Sequence, residues 1–323
     1  MNTGAKITAF AVVLAASFGS AYGVGAALDP VRAPGSGANA PEAAHAHGGT
    51  GTASTANSTG DASAAHPVAG LAATEAGYTL DLLTPRVGSG RPDRLRFVIR
   101  DADGHPLTSY RRAHEKELHL VLVSRDLTEY RHLHPVRAAD GTWSTAVGLP
   151  RAGDYRVLAD FTPAAEGSRE LTLARDLSVT GAHRPAAPAP ASRTATVDGY
   201  TVTLDGSLRS GAERELRLTV TRDGREVTDL QPYLGAYGHL VALRAGDLAY
   251  LHVHPGGTPG DGRTAPGPEV SFTATAPSAG TYRLFLDFKH RGTVRTAAFT
   301  VTAGEGGEHG HADADGGSGG HGH

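Results

Sequence analysis

The sequence predicts an all-β protein: two tandem β-sandwich domains at residues 77–181 and 194–303, with an N-terminal hydrophobic helix and a disordered linker and tail. Three observations carry that expectation. Apolar and polar residues alternate in runs of strand length, punctuated by Gly, Asp and Pro, as half-buried strands require. The first of these segments returns as the second, and His119, His132 and His134 recur as His239, His252 and His254 at one common offset. Outside the two segments Gly, Ala, Pro and Ser prevail without apolar period, a composition that cannot build a core.

Taken in order, residues 1–28 carry Lys6 and then an uncharged apolar run from Ile7 to Leu28, with Ala21-Tyr22-Gly23 as a candidate cleavage site. That arrangement fits a secretory signal peptide, and the length of residues 7–28 also fits an uncleaved membrane anchor. Either reading puts the rest of the chain outside the cytoplasm, secreted or membrane-anchored. Residues 29–76 read as a flexible linker with His45, His47 and His66. In the first domain, strands are expected at 78–83, 95–100, 118–124, 130–134, 143–147, 155–161 and 171–179. About seven strands in about 105 residues is the size of an immunoglobulin-like sandwich. Residues 182–193 form a Pro-rich linker. The second domain then echoes the first: Gly199-Tyr200 after Gly77-Tyr78, and Gly280-Thr-Tyr282 after Gly153-Asp-Tyr155, each with a Pro upstream (Pro277, Pro150). This Pro-x-x-Gly-x-Tyr pattern is similar to the corner that opens a late strand in such sandwiches. Residues 304–323 are a Gly/Asp/His tail with His309, His311, His321 and His323, the kind of tract that captures metal loosely.

Composition narrows the chemistry. The net charge is -3, with no basic surplus for nucleic acid. There is no cysteine and one methionine, which removes disulfides, thiol nucleophiles and the soft ligands that favour Cu(I). Any metal must then be held by imidazole, carboxylate, backbone or water. No nucleophile elbow, phosphate loop or pair of catalytic carboxylates stands out, so binding is favoured over catalysis.

The chemistry-bearing motif is His119 followed by His132-Leu-His134-Pro135, repeated as His239 and His252-Val-His254-Pro255. Side chains two apart on a strand share a face. A hairpin turn at Asp126-Leu127 pairs His119 with His134, and one at Arg125-Asp126 pairs it with His132; parity puts all three on one face in both registers. The turn at Gly246-Asp247 does the same for His239, His252 and His254. Asp160 and Asp287 stand inside apolar strands beside Phe161 and Phe288. A carboxylate there needs a partner: a metal, a ligating imidazole to orient, or an Arg. The expectation is one metal site per domain, from His119, His132, His134 and Asp160, and from His239, His252, His254 and Asp287. His105, His114 and His290 lack counterparts and read as surface residues, His290 being a further candidate ligand.

This histidine pattern, behind an N-terminal hydrophobic segment, resembles a group of exported, His-rich actinobacterial proteins of unknown function. More loosely, each domain is similar to the YtkA-like and CopC-like immunoglobulin-fold modules of bacterial copper handling. That resemblance implies Cu(II) held by imidazoles and an aspartate, although no His stands at a mature N-terminus here. Cu(II) also heads the affinity series for imidazole sites, with Zn(II) the second choice. The leading expectation is an extracytoplasmic metal buffer, chaperone or sensor. The alternatives are a metalloenzyme of the copper/zinc superoxide dismutase kind and a surface interaction module without metal. The protein partner and the oligomeric state are left open.

Overall fold

The computed structural model describes residues 68–251 and 253–305. The expected signal or anchor at 1–28, most of the 29–76 linker, His252 and nearly all of the 304–323 tail lie outside the described residues.

Every described element is a strand. The first domain holds β1 (Thr74–Glu75), β2 (Tyr78–Leu82), β3 (Arg86–Gly88), β4 (Pro92–Arg100), β5 (Tyr110–Arg111), β6 (Leu118–Ser124), β7 (Tyr130–Leu133), β8 (Val136–Arg137), β9 (Thr142–Gly148), β10 (Gly153–Pro163) and β11 (Leu171–Thr180). The second holds β12 (Thr194–Val197), β13 (Tyr200–Asp205), β14 (Glu213–Arg222), β15 (Arg225–Glu226), β16 (Gly238–Arg244), β17 (Tyr250–Leu251), β18 (Val253–Pro255), β19 (Glu269–Thr275), β20 (Gly280–His290) and β21 (Thr293–Ala303). All the strands expected in the first domain are present. The additional ones, β1, β3, β5 and β8, are two or three residues long, too short to show a period.

In the first domain the sheet β1-β2-β4-β9-β8 faces the sheet β3-β11-β10-β6-β7. Their inner faces bury Leu80, Phe97, Ile99, Leu120, Leu122, Trp143, Tyr155 and Phe161. The second domain repeats the plan with β12-β13-β14-β19-β18 against β17-β16-β20-β21, around Tyr200, Leu218, Phe272, Tyr282, Phe288 and Phe299. Both corner tyrosines close as that immunoglobulin-like pattern requires: Tyr155 donates to the Arg151 carbonyl at 3.0 Å and Tyr282 to the Ser278 carbonyl at 2.8 Å.

Strand β6 shows what the two sandwiches do with their outer faces. All seven of its residues are buried. Leu118, Leu120 and Leu122 point into their own core. Val121 and Val123 point the other way, into a third apolar cluster with Leu127, Tyr130 and Leu158 of the first domain and Val241, Leu243, Leu248 and Phe285 of the second. Tyr130 and Phe285 stack across this seam with ring centroids 4.0 Å apart and planes 6° apart, a pair worth about 0.5–1.5 kcal/mol beyond the area it buries.

One boundary is corrected. The expected linker does not run to residue 76, because its last part is tied into the sheets. Gly70 N–H donates to the Thr172 carbonyl and Ala174 N–H to the Ala72 carbonyl, while Tyr250 N–H of the second domain donates to the Ala69 carbonyl. This short strap therefore holds both domains. Its Gly70, at φ +74°, lies where an added Cβ would meet Leu158 Cδ2 at 2.7 Å and Tyr250 Cβ at 2.8 Å. The 182–193 linker is likewise docked at both ends: His183 Nδ1 donates to the Ala152 carbonyl at 3.0 Å, and Ser192 bridges to Thr300.

Candidate metal centre

The first-domain hairpin sets the site. Leu120 pairs with Leu133, Val121 with His132 and Val123 with Tyr130, so His119 falls opposite His134, the register of a turn centred on Asp126-Leu127. Leu127 takes φ 58° there, and Ser124 and Asp126 side chains accept the Thr128 N–H. His119, His132 and His134 consequently share the outer face with Val121 and Val123. That face is covered by the second domain, not by water. The ligand nitrogens of these three histidines lie within 4.8 Å of one another.

Hydrogen bonding fixes which ring atoms face inward. His119 Nε2 lies 3.1 Å from the Ala113 carbonyl. A carbonyl only accepts, so that nitrogen carries the proton. His132 Nδ1 lies 2.9 Å from Asp287 Oδ2, and by the same reasoning donates to the carboxylate. In neutral rings the remaining atoms, His119 Nδ1 and His132 Nε2, are both lone pairs, and they face each other at 3.2 Å. Two acceptors so placed repel unless a proton or a cation lies between them. His134 Nε2 is buried in the same cluster with no hydrogen-bond partner, a debt that folded proteins seldom leave.

Burial keeps the His119 and His134 rings neutral. Removal from water is the largest cause in each case, with the neighbouring His132 next: His119 is lowered to about 4 and His134 to about 3. A neutral imidazole is the form that ligates. The outward bonds match what ligating histidines usually have, a carbonyl or carboxylate on the far nitrogen that orients the ring.

The second domain reaches the same cluster. His239 of β16 stands with its ring centroid 5.6 Å from those of both His119 and His132. Its Nε2 is buried without a partner, while the ring also hydrogen-bonds the Leu234 backbone. Burial, with His132 second, lowers it to about 2. Asp287, expected beside the second-domain histidines, instead serves His132 across the seam and accepts from Thr296 Oγ1 at 2.5 Å.

Among the described residues, the expected one site per domain gives way to one histidine cluster between the domains. Its cause is where each hairpin changes sheet. In the first domain β7 stays beside β6 to Leu133, and the chain joins β9 only at Val136. In the second, β17 leaves β16 after Leu251, and Val253, His254 and Pro255 pair with Ala274, Thr273 and Phe272 of β19. His254 is exposed there. Gly238 stands where the first domain has Leu118, and Phe272 and Val270 of β19 come within 3.4 Å of its Cβ position, so β19 closes on the end of β16. His252, the remaining expected ligand, lies outside the described residues.

Asp160, the cross-strand partner of His119, lines the same cavity as the histidines but stands outside the group of three whose nitrogens converge. It accepts from Tyr250 of the second domain and from Thr172, both at 3.4 Å. Burial and the adjacent Glu170 push its carboxyl well above the usual carboxylate range. His114 was expected at the surface, but its ring lies 4.9 Å from that of His239 and 6.0 Å from that of His119. Its turn, Ala113 bridged to Lys116, matches Tyr233 bridged to Ala236 in the second domain. Because Leu234 occupies the equivalent place, the repeat concealed it. His290 is also not a surface residue: it is 3 % exposed, held by the Tyr200 hydroxyl at 2.7 Å and Asp229 at 2.9 Å, and takes no part in the cluster.

The pattern of a domain of unknown function, DUF8832, matches residues 72–177 and again 195–305, and the chain belongs to that family. None of the curated proteins matches it. Among solved structures it is similar to the Escherichia coli adhesin FdeC, at 17% identity over 72% of this chain and 64% of that one, with TM-score 0.23. A Salmonella alpha-2-macroglobulin is 14% identical over 73% of this chain and 15% of its own, with TM-score 0.25. Invasin, a bacterial integrin-binding protein, is 14% identical over 70% of this chain and 39% of its own, with TM-score 0.20. The chain thus spans 64% of the FdeC structure and smaller shares of the other two.

Proposed function

We propose that this two-domain DUF8832 protein binds one divalent transition metal through His119, His132 and His134, outside the cytoplasm, as a buffer, chaperone or sensor. The observation that carries the reading is the close approach of two imidazole nitrogens, His119 Nδ1 and His132 Nε2, at 3.2 Å, with His134 Nε2 buried and unpartnered beside them. Ligand bonds of about 2.05 Å at tetrahedral angles put neighbouring nitrogens about 3.3 Å apart, whereas a square plane brings them to roughly 2.9 Å. The spacing favours a tetrahedral ion such as Zn(II), and the affinity series favours Cu(II). Competition between the two decides.

The cavity lined by His114, His119, His132, Asp160, Glu170 and His239 has a volume of about 30 Å³. That is room for about one water, not for an organic substrate, which supports holding a metal over turning over a substrate. The extracytoplasmic placement rests on the apolar run from Ile7 to Leu28.

The test is metal analysis and thermal melting of the chain without residues 1–28 and 304–323. One equivalent of Zn(II) or Cu(II) per chain is expected, with a raised melting midpoint, and His132→Ala with His134→Ala removes both. No uptake and no shift with either metal at neutral pH overturns the reading.

A further inference from the structure

We propose that the metal also clasps the two domains together, with His239 Nε2 as the fourth ligand; this rests on the metal-binding reading above. The first domain supplies three imidazoles whose nitrogens lie within 4.8 Å of one another, a group that stops short of His239; two ring nitrogens of the cluster are buried without a partner, His134 Nε2 of the first domain and His239 Nε2 of the second. His239 is held from behind by the Leu234 turn, as His119 is by the Ala113 turn. Both anchoring turns precede the strand that carries the histidine, so the repeat has placed equivalent residues of its two copies face to face. Their rings are nearly parallel, 22° between planes.

The second domain grips the centre twice from adjoining strands. His239 on β16 is the cross-strand partner of Asp287 on β20, and Asp287 orients His132 of the first domain. With His239 drawn in from its ring position 5.6 Å from His119 and His132, four imidazole nitrogens would make a closed site of the structural kind, with no open position. A ligand that binds the docked domains better than the separated ones shifts the docking equilibrium by the ratio of its two affinities. Metal occupancy is therefore read out as closure of the seam. The apolar cluster of Val121, Tyr130, Leu243 and Phe285 supplies the metal-independent part.

The experiment uses the full chain with two changes: the tail histidines replaced by Ala, and a specific protease site placed within residues 185–191 of the linker. After nicking, the first-domain half is immobilised and release of the second-domain half is timed, with and without Zn(II). Release at least tenfold slower with Zn(II) is expected. His239→Ala should keep one equivalent of Zn(II) through the remaining three histidines but lose the slowing. As a second readout, X-ray absorption at the zinc edge should give four imidazoles in the wild type and three in His239→Ala. Zinc binding at one equivalent with an unchanged release rate overturns the clasp and leaves the metal-binding reading standing. A His239→Ala variant that still shows four imidazoles or full slowing removes His239 as a ligand. Absence of zinc from the nicked wild type overturns both.

Discussion

The two hairpins β6–β7 and β16–β17 carry the same histidine spelling in the same register, yet they deliver its last histidine to different places. His134 is half-buried opposite His119, with its Nε2 enclosed, while His254, its counterpart, is exposed on β18 and pairs with Thr273. The difference is where the strand crosses from one sheet to the other, after Leu133 in one copy and after Leu251 in the other. A shift of two residues along a strand keeps the parity of side chains but changes which sheet presents them. Duplicated histidines do not make a duplicated arrangement when the backbone delivers them to different surfaces.

Acid offers the largest test of this asymmetry. His119 and His239 are lowered to about 4 and about 2 by burial, below the usual value near 6.5 for an exposed imidazole. The unfolded chain therefore takes up protons first. The stability they support is whole above pH 6.5 and falls as pH drops from there toward those lower values, by up to about 1.4 kcal/mol per unit for each ring. Denaturant melts of the metal-free protein between pH 7 and 4.5 should show this decline. His119→Gln with His239→Gln should make it shallower, the remainder belonging to His134, which burial lowers to about 3.

Metal comes next. At a hundredfold excess over Kd a ligand specific to the folded form adds about 2.7 kcal/mol. For a folded unit of this size that raises the midpoint by roughly 5–11 °C. Loss of the shift in His134→Ala and its retention in His254→Ala would sharpen the contrast between the copies; equal loss in both would abolish it.

The two aspartates differ on a smaller scale. Asp287→Ala leaves the buried His132 Nδ1–H without its acceptor, at a cost of about 1–3 kcal/mol. Asp160→Asn relieves a carboxylate crowded by Glu170 and should be neutral or stabilising in urea melts. A costly Asp160→Asn would mean that its contacts with Tyr250 and Thr172 outweigh the crowding. Smallest of all, His254→Ala should change stability by no more than about 0.5 kcal/mol, as exposed substitutions do.

Much of this was legible in the residues. Period-2 alternation placed the strands, and parity alone put His119, His132 and His134 on one face, whichever turn closed the hairpin. What covers that face was not legible, because alternation assigns a side chain to a side and not to a neighbour. Leu-His-Leu-Val-Leu-Val did hold a clue: Val121 and Val123 beside His119 are wrong for a sheet face in water. The pairing of His132 with Asp287 needs the domain arrangement and has no local signal. His114 was hidden by comparison with the second copy, where Leu234 fills its place. The early crossing of the second hairpin was concealed by identical His-x-His-Pro spelling.

Gly70 gives the seam a tolerance. The strap threads between Leu158 of one domain and Tyr250 of the other, where even a methyl carbon would stand under 3 Å from both. The gap is gauged by a residue that has no side chain, much as a machinist sets a clearance with the thinnest feeler. Any bulkier residue at that position would act as a shim. Histidine nitrogens that must meet within a few tenths of an ångström would then be set apart by a change made far along the chain from any of them.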